Sequence, residues 1–338
     1  MGDREMLTLA LETSCDETAA AVLRGGREAL SNVISSQADI HRAYGGVVPE
    51  IASRHHLEQI NYVTDMALEE AGVGLGDVGL IGVTQGPGLV GALLVGLATA
   101  KAFALALDKP IVGVNHIHAH LCANYIEHPD LEPPFMGLIV SGGHTNILKV
   151  LGRNRWEILG RTRDDAAGEA FDKVARTLGL EYPGGPAIDR LAREGDPTAV
   201  GFKRALMEKG NLDFSFSGLK TGVLNYINTS RQAGRDFNRA DVAAGFQEAV
   251  VDVIRAKAMW AMESLGEKRL ALAGGVASNS RLRAALEEDC RERGFELYAP
   301  SPALCTDNAA MVGAAAYYKY MEFGGDGLEL DACPNLSI

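Results

Sequence analysis

Hydrophobic residues fall along this chain in short runs separated by polar turns. Residues 7–11 are apolar up to Glu12, a polar turn spans 12–18, and the apolar run resumes at 19–23. Residues 137–140, 141–144 and 145–150 repeat that strand, turn, strand arrangement about 130 residues later, which predicts an internally duplicated fold. Further strands are expected at 80–84, 111–114 and 269–273. They alternate with helical stretches at 56–71, 89–107, 116–127, 239–265, 280–293 and 307–322. Alternation of this kind predicts an α/β architecture with helices covering the sheets. Two lobes follow from the duplication, with a ligand cleft expected between them. Residues 1–114 with 315–338 are expected to form the first lobe. Residues 115–314 form the second, carrying most of the ligand and metal site, and the final helix packs back on the first lobe. Residues 129–134 read as a connecting loop and 195–210 as a mobile surface excursion.

Composition adds limits. The chain has 338 residues, 47% of them hydrophobic and 22% charged, which is ordinary globular usage. Formal net charge is -12, from 44 acidic and 32 basic side chains, which argues against a general nucleic-acid binder. Local basic stretches remain at Lys149, Arg153, Arg155, Arg161 and Arg163, and at Lys203, Arg204 and Lys209, each read first as solvated surface charge. Five cysteines stand far apart without a C-x-x-C, so neither a disulfide framework nor a thiolate metal site is expected, and a reducing cytoplasmic compartment fits. No signal peptide is read at the start. The apolar tract 89–107 is interrupted by Lys101 and several glycines and reads as a buried core helix, with no membrane association.

The chemistry concentrates in a few places. Asn115 is a good N-cap, and His116 and His120 lie four residues apart, so both imidazoles leave one face of a helix. A bare H-x-x-x-H is more often two core or surface histidines than a metal site. Here the helix follows a strand directly, placing its start at the ligand-binding edge of a sheet, and His118 and His144 add imidazoles nearby. His118 should point elsewhere. Asp307 is the candidate third ligand, at the opening of the last helix with Thr306 as its expected cap; interaction with the helix dipole is its ordinary alternative. A mixed histidine and carboxylate set suits iron or zinc rather than magnesium. Glycine-rich turns follow strands at 86–91, 141–143 and 274–279, where freed backbone N–H groups can cradle phosphate. None is a G-x-x-x-x-G-K-[ST] loop or a clean G-x-G-x-x-G. The turn ETSCDET at 12–18 gathers three carboxylates, and Asp172, in DDAAGEAFDK, is placed to meet a ribose.

These motifs have a family resemblance. LETSCDETAAAV, YGGVVPEIASRHH, GPGLVGALLVG, the His116/His120 pair, VSGGHT, DDAAGEAFDKVA, YPGGPAID, LDFSFSGLKT, AGGVASNSRLR and CTDNAAM occur in that order. Together they resemble the bacterial tRNA N6-adenosine threonylcarbamoyltransferase (TsaD) family, over residues 7–316, with 1–5 as a slight extension. The resemblance implies a two-lobed actin/sugar-kinase/heat-shock ATPase-like fold with duplicated ribonuclease-H-like lobes. It implies threonylcarbamoyl transfer from threonylcarbamoyl-AMP to N6 of the adenosine at position 37, beside the anticodon, of tRNAs reading ANN codons. His116, His120 and Asp307 then hold one divalent metal, Fe(II) with zinc as the alternative. Ile139, Val140, Ser141, Gly142, Gly143, Asp172, Gly185, Asp189 and Asn279 contact the adenylate, and Asp16 is the acid near the reaction centre. The implied partners are a TsaB-like paralogue and a TsaE-like ATPase, with a TsaC-type enzyme supplying the adenylate. The residues alone leave two other classes open. One is a metalloprotease acting on glycoproteins, although Ile117 stands where H-E-x-x-H needs its glutamate. The other is a non-catalytic actin-like nucleotide-binding scaffold, of which a phosphotransferase is a variant.

Overall fold

A computed structural model describes residues 5–338, so most of the extension 1–5 lies outside the described residues. The chain divides into two compact units, 1–132 with 303–338, and 133–302. Each is considered by itself.

The first unit is built on strands β1 (Leu7–Glu12), β2 (Glu17–Arg24), β3 (Glu28–Ser36), β4 (Leu80–Gly86) and β5 (Ile111–Asn115), in the order β3-β2-β1-β4-β5. β1 to β3 form an antiparallel meander, and β4 and β5 add in parallel to β1. Its helices are α1 (Ala38–Arg42), α2 (Pro49–Ala71), α3 (Val90–Leu107), α4 (His116–Cys122) and α5 (Asn124–Glu127). All six β1 residues are buried, because helices cover both sides of the strand. Leu7, Leu9 and Leu11 join Ile60 and Val63 of α2 and Val95 and Leu97 of α3 in one core. Ala10 faces the opposite way, toward the last helix of the chain. α3 is long and apolar enough to span a membrane by length and composition alone. It packs on β4 and α2, burying Ala92, Leu93, Gly96 and Ala100, and leaves Val90, Leu94 and Leu105 exposed. The expected core helix therefore buries one side only.

The second unit repeats the plan with β6 (Phe135–Val140), β7 (Thr145–Gly152), β8 (Arg155–Arg161), β9 (Arg269–Ala273) and β10 (Glu296–Tyr298). Its order, β10-β9-β6-β7-β8, is the first sheet's arrangement over again, a meander flanked by two parallel strands. This is the duplication the two hairpins predict. Around it lie α6 (Ala167–Thr177), α7 (Gly184–Ala192), α8 (Ser217–Gln232), α9 (Arg239–Leu265) and α10 (Ser280–Arg293). A short α11 (Pro302–Cys305) leads to α12 (Ala309–Phe323).

Three expectations differ from what is observed. The units divide at 132/133 and 302/303 rather than at 114/115 and 314/315. The reason is that α4 and α5 pack against α12, which itself lies on β1, β2 and β4. His116, His120 and Asp307 consequently belong to the first unit, not the second. The helical stretch 116–127 is broken into α4 and α5. Residues 195–210 are not a loose excursion: Val200 and Phe202 are buried, and the fully buried Lys257 of α9 donates to the carbonyls of Leu206 (2.5 Å) and Asn211 (2.6 Å). Carbonyl acceptors offset the cost of burying that ammonium.

α12 sits very close to the first sheet because small residues face each other. A Cβ on Gly82 of β4 would lie 2.7 Å from Ala316 Cβ, and one on Gly313 would lie 3.3 Å from Ala10 Cβ. That seat fixes the start of α12, where Asp307 stands. Gly82→Val should cost about 1–3 kcal/mol by overpacking against Ala316, read as a lower urea midpoint at unchanged m-value.

Candidate functional site

The C-terminal ends of three parallel strands in the first unit build the densest polar cluster. Register places Leu11 of β1 beside Val83 of β4, and Thr84 beside Val114 of β5. The next residues outward are therefore Glu12, Thr84 and the Asn115–His116 junction. Asn115 caps α4, its Oδ1 accepting from the N–H groups of Ile117 (2.9 Å) and His118 (3.2 Å), which starts the helix at His116. One turn later comes His120, with the two rings 4.7 Å apart in an edge-on arrangement. His118 leaves the other way and lies 3.5 Å from Cys122 Sγ.

Asp307 arrives from the second stretch of the first unit. The cap of α12 is Asn308, whose Oδ1 accepts from Met311 N–H at 3.0 Å, so Thr306 is not the cap and Asp307 precedes the helix. Its Oδ1 lies 3.5 Å from His116 Nε2 and 3.2 Å from His120 Nε2. One ligand atom from each of the three residues falls within 4.8 Å of the others. Among the described residues His120 Nδ1 is buried without a hydrogen-bond partner, and Nε2 has only the Asp307 contact, which is not a well-formed hydrogen bond. Such orphans are costly, and an ion shared with Asp307 and His116 would satisfy Nε2. Two imidazoles and one carboxylate are a fitting donor set for a divalent metal, with coordination positions left for a ligand.

The electrostatics agree. Burial opposes a charge on His116, but Asp307 and Glu12 outweigh it and hold this imidazole well above its ordinary pKa. Burial keeps His120 below its ordinary value, ready to offer a neutral nitrogen. Burial also disfavours ionised Asp307, yet His116 and His120 pull it below the usual carboxylate range.

Asp16 does not join this group. It is half-buried in the turn between β1 and β2, where its carbonyl accepts from Gln37 N–H at 3.0 Å. The turn is braced by His56, whose Nδ1 lies 2.8 Å from Thr18 Oγ1 and whose Nε2 lies 3.0 Å from Cys15 O. Beside it Glu17 is pushed up to about 8 by burial, despite Ser36 Oγ donating to it at 2.8 Å. Glu12 was legible only as one of three turn acids; it is instead fully buried against His116. The one available signal was an acid ending a strand that is otherwise apolar except for Thr8.

The remaining predicted residues gather in the second unit. Ser141 turns β6 into β7, its N–H donating to His144 O at 2.8 Å, while Gly168 and Glu169 of α6 donate to the carbonyls of Ser141 and Gly142. Ile139 and Val140 are fully buried in β6, so their side chains are core and only their backbone borders the turn. Gly274 lies against the Val140 carbonyl, bringing the turn after β9 alongside. Asp189 Oδ1 accepts from Ser280 Oγ at 2.8 Å, and Asn279 caps α10 while donating to Gln247 Oε1 at 2.7 Å. Asp172 Oδ1 accepts from Gly184 N–H at 2.7 Å. Gly142, Gly143, Gly185 and Gly275 share a property: a Cβ at any of them would meet nothing within 4 Å, and none has a positive φ. The fold does not need glycine there. Open space beside the backbone leaves room for a ligand to approach it closely. Gly275 was named in the sequence only as part of the glycine-rich turn 274–279.

Comparison with known proteins bears on both clusters. A profile of the tRNA N6-adenosine threonylcarbamoyltransferase (TsaD) family matches residues 28–314. A tRNA N6-adenosine threonylcarbamoyltransferase of Clostridium beijerinckii is 56% identical over 332 residues, covering 98% of each chain. One from Clostridioides difficile is 55% identical over 334 residues, covering 99% of each. Among solved structures, full-length HypF aligns with TM-score 0.62 at 18% identity, over 95% of this chain and 47% of that one. The (R)-2-hydroxyglutaryl-CoA dehydratase component A of Acidaminococcus fermentans gives 0.54 at 16%, over 94% and 100%. At these identities the two structures speak for the fold alone, and they agree with the actin and sugar-kinase type expected.

Because a metal must displace the proton on His116, its affinity should rise with pH. About a tenfold gain per unit is expected, levelling off only above the ordinary imidazole range. Calorimetric titration in buffers of different ionisation enthalpy should count one proton released per ion.

Proposed function

The chain belongs to the tRNA N6-adenosine threonylcarbamoyltransferase family, and we propose that it moves the threonylcarbamoyl group of threonylcarbamoyl-AMP onto N6 of adenosine 37 in tRNAs reading ANN codons, releasing AMP. It is a transferase of tRNA modification. The single observation that carries the site is the group formed by buried His116 and His120 with half-buried Asp307 in a chain 56% identical to such an enzyme along nearly its whole length. In the reaction the N6 amine attacks the carbamoyl carbon, the bond from that carbon to the phosphate oxygen breaks, and N6 gives up a proton.

His116, His120 and Asp307 would hold one divalent ion, and the two-imidazole, one-carboxylate set favours Fe(II) over magnesium, with zinc as the alternative. Such an ion supplies Lewis acidity toward carbonyl or phosphate oxygens. The glycine turns of the second unit bind the adenylate. Backbone at Gly142 and Gly143 approaches the phosphate, Asp172 takes the ribose, and Gly185, Asp189 and Asn279 contact the adenylate. The aromatic amine is a weak nucleophile, so positioning and stabilisation of the leaving phosphate matter more than a strong base. Asp16 is the acid assigned nearest the transferred group. The net charge of -12 suits an enzyme that does not bind tRNA unaided. A TsaB-like paralogue and a TsaE-like ATPase are the expected helpers, a TsaC-type enzyme makes the adenylate, and the cytoplasm is the expected compartment. Nothing in the site favours the metalloprotease, scaffold or phosphotransferase readings. Ile117 is buried where a protease would need a glutamate.

Incubation with threonylcarbamoyl-AMP, unmodified tRNA and the helper proteins should yield threonylcarbamoyladenosine by nucleoside mass spectrometry. Absence of the product from a metal-loaded reaction would refute the assignment. Gly185→Ala should raise KM for the adenylate roughly tenfold or more while leaving stability unchanged or higher by about 0.4–1 kcal/mol, since a Cβ there meets no protein atom. A fall in stability with unchanged KM would show a purely structural glycine.

A further inference from the structure

We propose that Glu12 is the positioning residue of the metal centre, fixing His116 with its Nε2 toward Asp307 and His120. The inference rests on reading those three residues as the metal ligands.

β1 carries Leu7, Leu9, Ala10 and Leu11, with Thr8 as its one hydroxyl, and ends in a carboxylate with no solvent exposure. Burying a carboxylate is expensive unless each oxygen is satisfied. Here both are. Oε1 accepts from Ser14 N–H at 2.5 Å, and Oε2 accepts from Thr84 Oγ1 at 2.6 Å and lies 3.0 Å from His116 Nδ1. The carboxylate is thereby held from the turn that follows its own strand and from the neighbouring strand β4. Glu12 does not belong to the three-residue group whose ligand atoms converge, and its oxygens are already engaged.

What it does to His116 follows from hydrogen-bond chemistry. An ionised carboxylate only accepts, so the hydrogen must sit on Nδ1 and Nε2 is the nitrogen offered to an ion. Ser14 Oγ, 3.2 Å from Nδ1, completes the clamp. His120 has no counterpart at Nδ1: among the described residues that nitrogen is buried without a hydrogen-bond partner, and the ring is oriented by packing and by Asp307, 3.2 Å from its Nε2. The two ligands are therefore unequal. His116 is anchored and its basicity raised by Glu12, while His120 is the adjustable one. Glu12→Gln keeps the shape but reverses the polarity. An amide nitrogen at the Oε2 position donates toward Nδ1 and drives the ring hydrogen to Nε2, the atom needed by the ion.

The test uses metal-stripped full-length protein titrated with Co(II), read by affinity and by the visible spectrum of the bound ion, with thermal melts of the metal-free forms. Glu12→Gln should bind Co(II) about 10–100-fold more weakly, with an altered spectrum and a retained cooperative melt. Thr84→Val, which removes only the donor that steadies Oε2, should weaken binding by roughly three- to tenfold. Wild-type affinity and spectrum in Glu12→Gln would overturn the proposal. Should that variant fail to fold, wild-type affinity in Thr84→Val would overturn it instead. His116→Ala separates the two levels. If it too binds like the wild type, the ligand assignment has failed. If it alone loses binding, the ligands stand and Glu12's role falls.

Discussion

Two carboxylates and two imidazoles share a buried corner of the first unit, and they can remain there only as one another's neighbours. None of Glu12, His116, His120 or Asp307 could be buried alone at a tolerable free-energy cost. Together, Glu12 and Asp307 flank His116, and His120 closes the group. Much of the local fold serves that arrangement. Strand register lines up Glu12 and Thr84, Asn115 starts α4 at the first histidine, and the close seat of α12 on Gly82 and Ala10 brings Asp307 in from almost the far end of the chain.

Duplication divides the labour. Both units carry the same five-strand plan with a polar turn after the first strand of each meander. In the first unit that turn and the neighbouring strand ends carry acids and imidazoles. In the second, the equivalent turn is Ser141–Gly142–Gly143, set against the start of α6 and the glycine turn after β9. One copy of the plan gathers a group that could hold a metal ion, the other a set of exposed backbone positions suited to an anionic nucleotide. That division is the one the proposed threonylcarbamoyl transfer would use.

How much of this can be read in the sequence depends on the range of the interaction. The helical spacing of His116 and His120 is local, and so are the strand–turn–strand repeats and the helices 239–265 and 280–293, which match the structure to the residue. Asp307 stood out as a candidate third ligand at the opening of the last helix, but no local pattern links it to histidines so far away, and the family resemblance strengthened that pairing. Glu12 was read as a turn acid since nothing in ETSCDET announces that its first residue still belongs to the sheet. The unit boundary was misplaced for a related reason: α4 follows a strand in sequence, but its partner is α12. Residues 195–210 looked loose because their anchor, Lys257, lies on a distant helix.

X-ray absorption at the metal K-edge of the iron- or zinc-loaded protein tests the account most directly. It predicts two imidazole nitrogens, recognisable by their outer-shell scattering, and a carboxylate oxygen, all at about 2.0–2.2 Å. A shell containing sulfur at about 2.3 Å, or one of oxygens without imidazole scattering, would contradict a centre made of His116, His120 and Asp307.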